Sequence, residues 1–172
     1  MGYAGGDVDS PTYRSMGDHT ETVQIDFDPE KITYRQLLEI FWNSHSYTQQ
    51  TSIRQYKNAI FYHNQEQHQK ALESMKALEQ KTGKTIRTDI VPVKSFTLAE
   101  DYHQKYMLKG SPLKHALDKY YSRHNDFVNS TAAARLNGYA GKYGTKERLL
   151  LEIDSLGVGE HEKKVLMKLV KD

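Results

Sequence analysis

The 172-residue sequence contains no cysteine. That zero excludes disulfides, thiolate metal ligands and any reaction whose nucleophile is a cysteine of this chain. Long hydrophobic runs are missing too: no window approaches the roughly eighteen apolar residues of a membrane-spanning helix. The N-terminus has neither the basic nor the apolar region of a signal peptide, so the expectation is a cytoplasmic chain with no membrane partner. Charge of one sign is not collected anywhere. Lys and Arg number 24 against 22 Asp and Glu, a net +2 spread along the chain, which gives nucleic acid little to hold. The spacings GxGxxG, GxxxxGK[ST], HExxH and GxSxG are all absent, which removes the usual dinucleotide, phosphate-loop, zinc-protease and serine-hydrolase readings.

What is present is a foldable, polar composition, 37% hydrophobic with 12 tyrosines, of a length that suits one domain. TVQIDFD (22–28) alternates Val23, Ile25 and Phe27 with polar residues, the period of a half-buried strand ended by Pro29. Thr33 caps a helix whose apolar face is Leu37, Leu38, Phe41 and Trp42. KNAIFYH (57–63) reads as a second strand, and Asn64 caps a helix through about Lys81 that Gly83 stops. RTDIVPV (87–93) is a third strand, with Pro92 marking an edge or an end. Thr97 is the expected cap of a helix LAEDYHQKYML, and Ser111 with Pro112 opens PLKHALDKYYSR. Short helices broken at Gly110, Asn137-Gly138, Gly144 and Gly157 follow. The fold class is α+β: a mixed β-sheet core with flanking helices and short helices in the C-terminal half.

Candidate chemistry gathers in the first quarter of the chain. GYAGG (2–6) lacks phosphate-loop spacing and has no strand ahead of it. His19 and Glu21 supply only two groups of a metal site, so no metal is expected. Glu21 directly precedes the apolar strand and lies near the Tyr-bearing turn PTY at Tyr13. Partly desolvated there, it suits a general acid at neutral pH, but the residues alone favour a solvated loop carboxylate. Tyr13 is either a hydroxyl donor at a site or a packed aromatic. Tyr56, just ahead of the second strand, is a natural donor at a site rim.

Taken in order, GYAGG (2–6), SPTY (10–13), HTETVQIDFDP (19–29), ITYRQLLEIFWNSH (32–45), RQYKNAIFYH (54–63) and AEDYHQKY (99–106) resemble peptide methionine sulfoxide reductase A. STAAARLNGYAGKYG (130–144) resembles the C-terminal part of animal-type members. The resemblance implies a core over 1–110 and a helical extension over 111–172 packed on the same domain. It implies an oxidoreductase of protein repair under oxidative stress, which returns the S epimer of methionine sulfoxide, free or in proteins, to methionine. It implies no cofactor, with thioredoxin or another thiol as reductant. In the family a cysteine in a GCFW motif, at the end of the first strand, attacks the sulfoxide sulfur. A glutamate protonates the oxygen and two tyrosine hydroxyls hold it. By matching motif, Glu21 falls on the acid and Tyr13 and Tyr56 on the two tyrosines.

The GCFW segment lies upstream of GYAGG in the family, whereas here Met1 stands directly before the glycines. The expectation is therefore a family fold without its first strand and helix. Neither tyrosine nor glutamate replaces a soft thiolate. Two readings follow: a reductase whose start has been lost, or a non-catalytic descendant that binds methionine or methionine-sulfoxide peptides or regulates a partner. The 172-residue chain alone is expected to release no methionine from methionine sulfoxide with dithiothreitol. Release above the protein-free rate, followed by chromatography, would contradict the exclusion.

Overall fold

Three residues of the opening GYAGG set the arrangement of the first sheet. In the computed structural model, which describes residues 1–170, Gly2–Ala4 is a strand, β1, buried along its whole length. It is the middle strand of three. β2 (Thr20–Thr22) pairs antiparallel on one side, with Tyr3 opposite Glu21, and β5 (Phe96–Leu98) pairs antiparallel on the other, with Tyr3 opposite Thr97. Glycine is required here by close approach: a Cβ on Gly2 would lie 2.3 Å from the Phe96 ring and 2.5 Å from the Thr97 carbonyl oxygen. Gly2 through Ala4 and Gly6 are thus packed, and Gly5 alone of the run is exposed.

A second, parallel pair stands apart from this ladder. β3 (Ala59–Tyr62) runs beside β4 (Asp89–Pro92), with Ile60 opposite Ile90. Two helices cover it. α1 (Tyr34–Asn43) is capped by Thr33 as expected, and Thr33 and Gln36 bond reciprocally to form a capping box. α2 (Gln65–Thr82) is capped by Asn64, whose Oδ1 accepts from the Gln67 amide at 2.9 Å, and ends at Gly83 with φ of 67°. Leu38, Trp42, Ile60, Ala71 and Ile86 form their common core, and the Trp42 indole N–H donates to Ser74 Oγ at 3.0 Å.

The chain divides into two units, Met1–Glu100 and Asp101–Asp172, whereas the sequence places a boundary at 110 within one domain. The second unit has a core of its own: Leu108, Leu113, Leu117, Leu136, Leu149 and Leu166 are all at least 96% buried. Its helices are α3 (Tyr106–Lys109), α4 (His124–Val128), α5 (Thr131–Ala140), α6 (Lys146–Glu152) and α7 (Glu160–Leu169).

Several expected elements differ. The strand over 22–28 is observed only as Thr20–Thr22, and Val23 and Ile25 are 60% and 57% exposed. Alternation marks a face, but a strand also needs a neighbour, and Val23–Phe27 make no backbone hydrogen bond among the described residues. The helix expected from Thr97 is instead β5 followed by short turns, because β1 recruits Phe96–Leu98 and Lys105 adopts a left-handed φ of 51°. PLKHALDKYYSR is a chain of i to i+3 turns, among them Lys114 to Ser111 and Ala116 to Leu113, which still bury Leu113 and Leu117. Asn137-Gly138 lies inside α5 and does not break it. The two helices expected over 145–172 correspond to α6 and α7, with 171 and 172 outside the described residues.

In the second unit Tyr139 is 3% exposed and donates its hydroxyl to Glu152 at 2.6 Å. Burial first, and then that hydrogen bond, push the phenol up to about 12. An unfolded tyrosine titrates near 10, so this stabilisation is complete below about pH 10 and is lost as pH rises through about 12. Tyr139→Phe is expected to flatten the fall of the thermal midpoint across that window. An unchanged slope in the variant would remove Tyr139 as its cause.

Candidate active site

Glu21 takes its position from β2, and β2 takes its own from two ties. One is the ladder to Tyr3. The other is the turn Arg54–Tyr56: Thr20 Oγ1 donates to the Arg54 carbonyl at 3.0 Å, and Gln55 Nε2 donates to Glu21 Oε1 at 2.7 Å. Arg54 also reaches Asp18 at 3.4 Å. The Asp18 carboxyl is held below its ordinary range mainly by the Asp7 backbone N–H, which donates to it at 3.0 Å. One turn therefore fixes the carboxylate of Glu21 through Gln55 and carries the half-exposed Tyr56 as the next residue.

Tyr13 arrives by another route. Its backbone N–H donates to Glu100 Oε1 at 2.9 Å, and the other oxygen of Glu100 accepts the Tyr3 hydroxyl at 2.7 Å. Glu100 follows β5, on the edge of the sheet away from β2, so the anchor of Tyr13 and that of Glu21 share only the central strand. The Tyr13 ring is 44% exposed. Structure thus brings Glu21 and the Tyr56 turn together directly and links Tyr13 to them through Tyr3.

His19, weighed in the sequence as a ligand beside Glu21, is 1% exposed with both ring nitrogens engaged. Nδ1 accepts from the Gly6 N–H at 3.3 Å, which leaves Nε2 to donate to the Val8 carbonyl at 2.8 Å. It closes the loop between β1 and β2. A Cβ on Gly6 would lie 2.6 Å from the His19 ring. Among the described residues no group of three His, Cys, Asp or Glu could hold a metal ion.

Glu21 lines a cavity of about 390 Å³ that has apolar walls of Ile25 and Phe27, Ile60 and Phe61, and Leu37 and Phe41 of α1, together with the polar residues Lys57, His63 and Gln67. The rings of Tyr13 and Tyr56 are not part of that lining. Gln50 braces the β3 wall by accepting from the Asn58 N–H at 2.8 Å and donating to the Asn58 and Arg87 carbonyls. Sequence reasoning missed Gln55, Glu100 and Gln50. Glu100 lies within AEDYHQKY and Gln55 within RQYKNAIFYH, yet neither has a local pattern that names its distant partner.

A carboxyl held by a glutamine side chain in the lining of a cavity with apolar walls can hydrogen-bond a small polar group on an apolar ligand. Solved structures share the fold: Mxr1 from Saccharomyces cerevisiae in reduced form superposes with a TM-score of 0.59 at 31% identity, covering 71% of this chain and 75% of that one. The sequence profile described as peptide methionine sulfoxide reductase matches residues 1–136, and the chain belongs to that family. A peptide methionine sulfoxide reductase of Drosophila melanogaster is 41% identical over 92% of this chain and 64% of its own length. MsrA of Methanococcoides burtonii is 43% identical over 63% of this chain and 78% of its own. The chain thus spans less than two thirds of the Drosophila relative.

Glu100 is expected to hold the Tyr13 turn. Glu100→Ala should speed exchange of the Tyr13 amide proton by about tenfold or more, since hydrogen bonds to a charged acceptor contribute about 1.5–3 kcal/mol. Unchanged exchange would leave that turn anchored elsewhere.

Proposed function

We propose that this chain carries the oxygen-side half of a site that reduces the S epimer of methionine sulfoxide, in proteins or free, as an oxidoreductase of oxidative-damage repair. One observation carries the reading: Glu21 is fixed by Gln55 in the lining of a cavity with apolar walls, on the strand that the Tyr56 turn holds. Glu21 is the proton donor to the sulfoxide oxygen, and the hydroxyls of Tyr13 and Tyr56 are its hydrogen-bond partners. The apolar wall takes the methionine side chain.

The remaining reactant is a thiolate, which this chain does not contain. It attacks the sulfoxide sulfur, the S–O bond breaks as the oxygen gains a proton, and the products are the thioether and a sulfenic acid on the attacking cysteine. Thioredoxin or another thiol then reduces the sulfenic acid, in the cytoplasm. No described helix is long and apolar enough to cross a membrane. Residues 145–170 serve as helical scaffold. The absence of cysteine favours one second reading, a non-catalytic binder of methionine-sulfoxide peptides.

The test is to extend the chain at its N-terminus with the family's GCFW-bearing strand and to measure turnover with dithiothreitol. Turnover should appear. Glu21→Gln in that protein should lower kcat by about 10²-fold or more, the scale of general acid catalysis, with peptide binding retained. An extended protein that binds sulfoxide peptide without turnover supports the binder. Turnover unaffected by Glu21→Gln removes the proposed acid.

A further inference from the structure

The tract STAAARLNGYAGKYG (130–144) takes no part in the site at Glu21, yet it builds most of a second cavity, which lies wholly within the second unit. That cavity, of about 390 Å³, is lined by the small residues Ala134, Gly138 and Gly144 and by Tyr143, which is 82% exposed. A Cβ on Gly138 would meet no atom within 4 Å, so that side of α5 borders open space. The charged residues of the lining are three: Arg135 of α5, and Arg148 and Glu152 of α6. Glu152 is the most buried of them, its side chain 13% exposed against 44% and 56% for the two arginines. Its Oε1 accepts the Tyr139 hydroxyl at 2.6 Å, and its Oε2 faces both guanidinium groups at 3.5 Å.

One carboxylate between two guanidinium groups leaves the lining with a net positive charge. At 3.5 Å each contact is longer than the roughly 2.7–2.9 Å of a charge-assisted N–H···O bond, so both guanidinium forks keep donors for a further acceptor. Thr145, also in the lining, accepts the Arg148 backbone N–H at its Oγ1, which leaves its own proton to donate. A planar carboxylate is satisfied by a single fork. Two forks and a hydroxyl match an acceptor with three terminal oxygens. We propose that this cavity binds a phosphate group, held by Arg135, Arg148 and Thr145, either as the free ion or as a monoester whose organic part lies against the ring of Tyr143. Glu152 and Tyr139 are positioning residues: Glu152 keeps the two arginines together, and the Tyr139 hydroxyl holds Glu152. This gives α6 a role beyond scaffold, and it is independent of the chemistry at Glu21.

The test titrates the 172-residue protein, at fixed ionic strength, with inorganic phosphate, phenyl phosphate and phenylacetate, and follows the Nε–H resonances of Arg135 and Arg148. At least one of the two phosphates is expected to shift them saturably and to bind about tenfold or more tighter than phenylacetate, the scale of one additional hydrogen bond between charged groups. Arg135→Gln, and Arg148→Lys, which keeps the charge but loses the fork, should each weaken phosphate binding by about tenfold or more, read at the arginine that remains. Lys84→Gln removes an exposed positive charge from the first unit and should leave binding unchanged. Tighter binding of phenyl phosphate than of inorganic phosphate assigns the site to a monoester, and equal or weaker binding assigns it to the free ion. Three results would overturn the proposal: no saturable shift with either phosphate, phenylacetate binding as tightly as the phosphates, or the same loss from Lys84→Gln as from the arginine variants. Should Arg135→Gln fail to fold, as judged by its circular dichroism spectrum, Arg148→Lys decides, and unchanged phosphate affinity in that variant also refutes the site.

Discussion

The hydroxyl of Tyr3 donating to Glu100 is the interaction on which the first unit turns. Tyr3 is 2% exposed, so its hydroxyl must find a partner inside the protein. Glu100 meets that need with one oxygen and anchors Tyr13 with the other. Tyr3, through its backbone, also stands between Glu21 and Thr97 in the ladder. A single buried side chain thus ties together the three strands and the turn that carries Tyr13. Glycines on both sides permit it: Gly2 lets the Phe96 ring lie against the strand, and Gly5, at φ of 81°, lets the Phe61 ring of β3 approach within 2.5 Å of where a Cβ would be.

From this frame follows a division of labour. The carboxylate of Glu21 is positioned by short-range bonds to one turn, while the apolar cavity beside it is bounded by elements from two sheets and α1. The polar end of the site is built within the chain. The cavity end is open along two strand edges. Strength and openness therefore lie a few residues apart on the same segment, with Thr20–Thr22 paired and Val23–Phe27 unpaired.

Much of this was legible in the residues. Thr33, Asn64 and Gly83 mark helix ends by local chemistry, and each sits where that chemistry puts it. The strands Ala59–Tyr62 and Asp89–Pro92, each a run rich in β-forming residues, were also readable. What escaped was non-local. Gly2–Ala4 is a strand only because two distant segments flank it, and Thr97 and Leu98, expected as the cap and start of a helix, join Phe96 in a strand for the same reason. Val23–Phe27 shows the converse: a strand pattern is a statement about faces, and pairing must come from elsewhere. At the site, Glu21, Tyr13 and Tyr56 were named from motif, whereas Gln55 and Glu100, which position two of them, carry no signal beyond being polar.

The central claim is that this chain holds the oxygen of a methionine S-sulfoxide without a cysteine. Its most direct test is calorimetric titration of the 172-residue protein with one peptide carrying, in turn, the S-sulfoxide, the R-sulfoxide and unoxidised methionine. The account predicts that the S-sulfoxide binds more tightly than the other two, since only it presents its oxygen to Glu21 and the tyrosines with the side chain in the cavity. Equal affinity for all three, or none for any, would contradict it.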